Sequence, residues 1–271
     1  MISRAQYRTF HTDRFIAHAG TEKAIKECDY IIKMAGLKSR PDSLIIVGES
    51  GFGKSALLSE IFENATRHTY LGKNLLDSEC LLIEMPIAPT PKALANDIIE
   101  ALGGVHHAKT DMSYLSQLFS EKGLKLLIID EFNTLFDATR SDLRKCLNLL
   151  KWAGNQHQIS IILSGTELID KILIYDKQFE RRFRKIRLKK WRLDDQFKKF
   201  IMNYMVSLPV EFAPKINNAI FSELINGTDG STKRVVWVLC QACLEASLDD
   251  DICNLAEYIR IVAERDGHTT D

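Results

Sequence analysis

The chain has 271 residues, 36 Lys plus Arg against 36 Asp plus Glu, and 45% hydrophobic residues. A net charge of zero excludes a protein that coats nucleic acid through overall basicity, so any such contact has to be local. No apolar run approaches the ~18 residues that span a bilayer and the N-terminus lacks the apolar core of a secretory signal, so the expectation is a soluble, cytoplasmic protein without membrane contact.

In chain order, an irregular stretch around Arg14-Phe15-Ile16-Ala17-His18 leads into helical periodicity over residues 24–32, and Arg40-Pro41-Asp42-Ser43 turns into a first strand at 44–47. The octet that follows is Gly48-Glu49-Ser50-Gly51-Phe52-Gly53-Lys54-Ser55, a complete G-x-x-x-x-G-K-S phosphate loop. Its glycines let backbone N–H groups close around phosphate oxygens, Lys54 reaches the β- and γ-phosphates, and the Ser55 hydroxyl ligates Mg²⁺ at a helix N-terminus. A helical pattern opens at Ala56 directly after it, which is the strand-loop-helix context the motif requires. The expected ligands are a nucleoside triphosphate and Mg²⁺, held by residues 48–56. The lead-in before the loop is suited to pack over the base.

With 44–47 as the first, the second to fifth strand-like runs follow at 81–85, 125–129, 159–163 and 186–190, alternating with helical stretches. Nearly continuous apolar strands in such alternation imply a parallel sheet covered by helices on both faces. The third run ends in Asp130-Glu131, at the C-terminal edge where open parallel sheets bind ligands. Asp130 is placed to hold Mg²⁺, through water, beside Ser55, and Glu131 to act as general base on the attacking water. The fourth run ends in Ser164-Gly165-Thr166-Glu167, whose hydroxyls suit a contact with the water or γ-phosphate; Thr166 is the first choice and Ser164 the second.

An Arg181-Arg182-Phe183 step then enters the fifth strand, inside a basic run from Arg181 to Arg192 whose plain reading is a solvated charged face. Arginines at an element's end are what a neighbouring subunit uses to stabilise charge on a transferring phosphoryl group. Beyond about Trp191 the pattern is helical only, at 193–208, 214–225, 231–247 and 252–263. The domain expectation is therefore residues 1–191, with a lead-in over 1–40, followed by a small helical domain at 192–271. The six cysteines, Cys28, Cys80, Cys146, Cys240, Cys243 and Cys253, read as reduced core thiols, the Cys240-x-x-Cys243 pair lacking a second ligand pair for zinc.

Phosphate loop, strand ending Asp-Glu, polar strand end, Arg-Arg-Phe before a last strand, and helical lid, in that order, resemble AAA+ ATPases. The resemblance implies an AAA+ P-loop NTPase fold, with a five-stranded parallel sheet and a C-terminal lid, and ATP hydrolysis. It also implies a lid arginine near Gly230-Ser231-Thr232-Lys233-Arg234, matched best by Arg234 with Lys233 as competitor. Arg181 and Arg182 would then act in trans within a ring or spiral.

Several softer features resemble the TniB or TnsC branch of transposition regulators. They are the Arg-Thr-Phe-His-Thr-Asp-Arg-Phe lead-in, the Pro86-Ile87-Ala88-Pro89-Thr90-Pro91-Lys92 segment, the Ile98-Ile99-Glu100-Ala101-Leu102-Gly103 helix and the run from Leu127 to Leu135. The expectation is also of a nearly bare module, without the winged helix of replication initiators or the collar of clamp loaders. That resemblance implies homo-oligomers, as rings or helical filaments, wrapped on double-stranded DNA, with a TniQ-like target-selection protein on one face and the transposase on the other. Lys92, Lys109, Thr110 and Arg140, in loops after the second and third strands, are the expected DNA-backbone contacts. A helicase- or clamp-loading ATPase of replication and an ATP-binding scaffold with little turnover stay open as alternatives.

Overall fold

The computed structural model describes residues 4–11, 14–35, 37–38, 40–67, 69–70, 73–74, 79–105, 112–208 and 217–267. They form an α/β unit of residues 20–50 and 54–188 and a helical unit of residues 1–19, 51–53 and 189–271.

The α/β unit is built on five parallel strands, β1 (Ser43–Val47), β2 (Cys80–Glu84), β3 (Leu126–Asp130), β4 (Ser160–Gly165) and β5 (Phe183–Arg187), in the order β2-β3-β4-β1-β5. Every residue of β1, β3 and β4 is buried, as expected of central strands covered on both faces, and this is why their sequences are unbroken apolar runs. Alternate residues Ile45, Val47, Leu127, Ile129, Ile161 and Leu163 join one core with α4 (Pro91–Ala101), α5 (Met112–Lys122), α6 (Arg140–Gln156) and α7 (Leu168–Leu173). Against the sheet also packs α3 (Lys54–Arg67), which follows the phosphate loop; α2 (Ala19–Met34) precedes β1 and α8 (Lys177–Glu180) precedes β5. Each such buried Leu or Ile contributes roughly 1.5–3 kcal/mol relative to exposure.

The fifth strand begins three residues earlier than the sequence suggested. As an edge strand it buries Ile186 alone, and its alternating Arg and Lys side chains carry no apolar signal. Helix ends, by contrast, are marked by side-chain caps: Thr90 accepts from Ala93 N–H, Thr139 from Asp142 N–H, Asp194 from Phe197 N–H and Asn217 from Ile220 N–H.

The helical unit packs α9 (Asp195–Val206), α10 (Asn218–Thr228), α11 (Thr232–Leu248) and α12 (Leu255–Gly267) around Phe197, Ile201, Leu224, Val238, Leu239 and Ile259. Phe10 of α1 (Arg4–Phe10) is 5% exposed in this core and Ile16 packs on it, so residues 1–19 group with the helices, where the sequence reading had put them with the nucleotide-binding domain. The Trp191 ring stacks on Phe200 at 4.7 Å and its Nε1–H donates to Thr232 Oγ1 at 3.1 Å. Gly230 has φ +71°, and a Cβ there would stand 2.4 Å from the Trp191 carbonyl oxygen, so glycine alone permits this approach.

Candidate active site

β1 lies between β4 and β5, where the strand order reverses, and the phosphate loop leaves its C-terminal end at the crevice such a reversal opens. Gly48 N–H donates to Gly165 O at 3.0 Å, tying the loop to the end of β4. Gly51 and Gly53 have φ of +80° and +85°, left-handed values that turn the loop back on itself and favour glycine. Lys54 is 5% exposed, and its Nζ donates to the carbonyls of Gly48 at 2.9 Å and Glu49 at 3.1 Å. The loop thus folds around its own ammonium group, which positions a charge inside the phosphate cradle. Gly51 O accepts from Lys233 N–H at 2.8 Å. Ala56 is exposed in the first turn of α3.

Ser55 Oγ donates to Asp130 Oδ2 at 2.7 Å. A hydroxyl and a carboxylate in contact beneath a phosphate loop are hard oxygen donors of the kind Mg²⁺ takes, so the residues fit that ion. Asp130 is 5% exposed, held there by the buried β3, and its Oδ1 accepts from Glu131 N–H at 2.8 Å. Glu131 has φ 49° and ψ 35°, a left-handed conformation that costs a residue with a Cβ about 1–2 kcal/mol. Phe132, fully buried, anchors the 3-10 turn Phe132–Asp137 that follows. Losing that ring to alanine would cost about 3–5 kcal/mol.

Asn133 lies within the run from Leu127 to Leu135, but the sequence alone assigns it no site role. Its Nδ2 donates to Glu131 Oε2 at 3.2 Å, and its Oδ1 accepts from Thr166 N–H at 2.9 Å. Thr166 is thus joined through Asn133 to Glu131, while its Oγ1 accepts from Leu168 N–H at 3.4 Å. Ser164 is fully buried on β4 across from Ile46, and its hydroxyl has no partner among the described residues. A buried hydroxyl without a partner is uncommon, and strain, a catalytic role or a bound water or ion are the usual reasons for one.

The basic run is not one solvated face. Arg184 pairs with Glu27, Lys185 with Asp170 and Glu180, Arg187 with Asp170 and Glu167, and Lys190 with Asp229. Burial pushes the Asp170 carboxyl up, but bonds from Arg187 and Lys185 outweigh it and hold Asp170 below the ordinary carboxylate range. Outside these pairs stand Arg181 and Arg182, both exposed at the N-terminal edge of the sheet. They border a cleft of about 580 Å³ with Arg40 and Lys151. Arg182 Nη1 donates to Asn155 Oδ1 at 2.7 Å, whereas the Arg181 guanidinium has no hydrogen-bond or ion-pair partner among the described residues. In the helical unit, Arg234 pairs with Asp266 at 2.8 Å and reaches Gly227 O at 3.3 Å, while the neighbouring Lys233 side chain is exposed.

Lys92 and Arg140 are exposed at the first turns of α4 and α6; Lys109 and Thr110 lie outside the described residues. Five cysteines are buried and Cys253 is exposed. Cys240 and Cys243 sit in the core of α11, where burial pushes both thiols up. Among the described residues no helix is long and apolar enough to cross a membrane.

The model of the bacterial TniB protein family matches residues 5–193. The chain belongs to the TniB family. With its phosphate loop and parallel five-stranded sheet, this TniB-family protein is an AAA+ ATPase of the transposition-regulator kind. Its fold is that of the Aeropyrum pernix ORC2 protein solved as ADPNP-ADP complexes, with a TM-score of 0.68 at 15% identity over 95% of this chain and 71% of that one. The Aeropyrum pernix ORC1 protein in complex with DNA gives 0.69 at 14% identity over 96% and 70%. A Walker-type ATPase of Pyrococcus abyssi gives 0.59 at 17% identity over 94% and 74%. No curated protein matches the chain.

Proposed function

We propose that this TniB-family ATPase assembles with ATP on double-stranded DNA, links a TniQ-like target-selection protein to the transposase, and leaves the DNA on hydrolysis. The observation that carries the reading is the position of Arg181 and Arg182. They stand at the N-terminal end of β5, which runs parallel to β1 with Ser43 opposite Phe183, while Ser55, Asp130 and Glu131 belong to the opposite edge. Five strand residues at ~3.3 Å each put about 16 Å between those edges, beyond the reach of an arginine side chain. That position supports a reading in which both arginines serve another subunit's phosphates and a complete site needs two copies of the chain.

Within the site, backbone N–H groups of residues 48–56 and the Lys54 ammonium hold the phosphates. Ser55 and Asp130 would hold Mg²⁺, which when bound neutralises charge on the transferring group. Glu131 accepts the proton of the attacking water, and Thr166, or Ser164 with its unmet hydroxyl, fixes that water or the phosphate. Arg234 is the lid arginine of this reading and would exchange Asp266 for a phosphate oxygen. On the DNA side, Lys92, Lys109, Thr110 and Arg140 would contact the backbone, each weakly, with the contacts adding up around an oligomer. The DNA complex of the Aeropyrum pernix ORC1 relative supports a DNA-bound state for this fold.

Purification of the tagged protein with a slowly hydrolysed ATP analogue tests the assignment of partners. Recovery of a transposase and a TniQ-like protein is expected; recovery of a replicative helicase in their place would overturn it.

A further inference from the structure

The Glu131 carboxylate has to be aimed by something other than its own backbone. A left-handed φ of 49° fixes where the side chain starts, and Asp130 Oδ1 and Thr134 N–H, through bonds of 2.8 Å and 2.9 Å to the Glu131 peptide, fix the main chain. None of these contacts touches the carboxylate. Asn133 does, with Nδ2 at 3.2 Å from Oε2.

The orientation of that amide is itself determined. Thr166 N–H needs an acceptor, so the Asn133 oxygen has to face it, at 2.9 Å, and the donor end is left pointing at the carboxylate. Space for the amide comes from Gly165, where an added Cβ would stand 2.2 Å from Asn133 Oδ1. One side chain thus spans the turn after β3 and the end of β4, through a gap that only glycine leaves open. The same Gly165 carbonyl accepts from Gly48 of the phosphate loop at 3.0 Å, so the strand end that Asn133 grips is also fixed to the phosphate cradle.

We propose that Asn133 is a positioning residue that aims the general base by tying the Glu131 carboxylate to the end of β4 at Thr166. The proposal rests on Glu131 being the base. Asn133 touches no reacting atom; it sets the direction of the carboxylate, and through Thr166 N–H that direction follows any movement of the strand end beside the γ-phosphate.

Asn133→Asp keeps an oxygen for Thr166 N–H and replaces the donor to Glu131 with a carboxylate oxygen that repels it; Asn133→Ala removes both bonds without adding charge. Turnover and binding of a fluorescent ATP analogue are measured for each, with melting temperature as the check on folding. For Asn133→Asp, kcat is expected to fall roughly 10- to 100-fold, the range for losing a hydrogen bond to a charged group. Its KM, analogue affinity and melting temperature should stay near those of the unmodified protein. Combined with Glu131→Gln, the substitution should lower kcat no further than Glu131→Gln alone, because residues acting as one unit are not additive. Unchanged turnover in Asn133→Asp while Glu131→Gln is inactive would overturn the positioning role only. Unchanged turnover in Glu131→Gln would remove the base assignment instead. A full extra loss in the double variant would also overturn the proposal, since Asn133 would then act independently of Glu131.

Discussion

The Ser55 hydroxyl donates to Asp130 Oδ2 at 2.7 Å, joining residues 75 positions apart. One sits at the start of α3, the other at the end of the buried strand β3, so the pair has the rigidity of the sheet on one side and of the helix on the other. If the pair holds Mg²⁺ as proposed, removing the hydroxyl or the carboxylate charge should weaken the metal's hold. Asp130→Asn is expected to lower hydrolysis by at least about 100-fold, because metal stabilisation of the transferring phosphoryl group is worth several kcal/mol. Ser55→Ala should need more Mg²⁺ for half-maximal rate. A magnesium titration of ATP turnover checks both; an unchanged magnesium dependence in either would count against the pair as metal ligands.

Glu131→Gln keeps the size and hydrogen-bonding capacity of the side chain and removes its basicity. Turnover should fall about 10²- to 10⁴-fold, the usual contribution of a general base, while ATP binding persists. The protein should then accumulate as ATP-bound oligomers whose dissociation from DNA is slow. Stopped-flow dissociation from labelled duplex reads this, and dissociation as fast as for the unmodified protein would show that hydrolysis does not drive release.

Two inactive variants should restore each other if the site is shared. The Arg181→Ala, Arg182→Ala double variant lacks the arginines, and Glu131→Gln lacks the base. Alone, the arginine variant should lose about 10³- to 10⁵-fold in kcat, as other arginine fingers do. Mixed at equal concentration, some interfaces pair intact Glu131 with intact arginines, and activity should return to a substantial fraction of that of the unmodified protein. Activity no greater than the sum of the separate variants would mean that the arginines serve their own subunit's site or none.

How much of this was legible in the sequence followed the physics of each element. Buried central strands betray themselves as apolar runs, so β1, β3 and β4 were readable within a residue or two, and with them the edge that carries Gly48, Asp130 and Thr166. The edge strand β5 was displaced in the reading because its residues face ion pairs with Glu27, Asp170 and Glu180 rather than a core, and a charged alternation looks the same in solvent as in a pair. The docking of residues 1–19 on the helical unit was not readable, since Phe10 and Ile16 say only that they need burial and not against what. Asn133 was hidden for a different reason. Its role depends on the left-handed turn at Glu131 and on the missing Cβ at Gly165, two backbone facts from segments about thirty residues apart.

The ion pairs around Asp170 carry a pH dependence. With its folded pKa held below the unfolded value of about 3.9, Asp170 contributes stability that is present above that value and is lost as pH falls through the folded one. The difference in urea midpoint between the unmodified protein and Asp170→Asn should therefore be constant above about pH 5 and shrink below about pH 4. A difference that does not change down to pH 3 would mean that Lys185 and Arg187 do not act on this carboxylate.

The central claim is that the phosphate loop completes its site with a second copy of the chain and that the resulting oligomer holds DNA. Electron microscopy with a non-hydrolysable ATP analogue, with and without duplex DNA, tests it most directly. Rings or helical filaments enclosing the duplex, with Arg181 and Arg182 of one subunit facing the phosphate loop of the next, are the predicted result. Monomers under both conditions would contradict it.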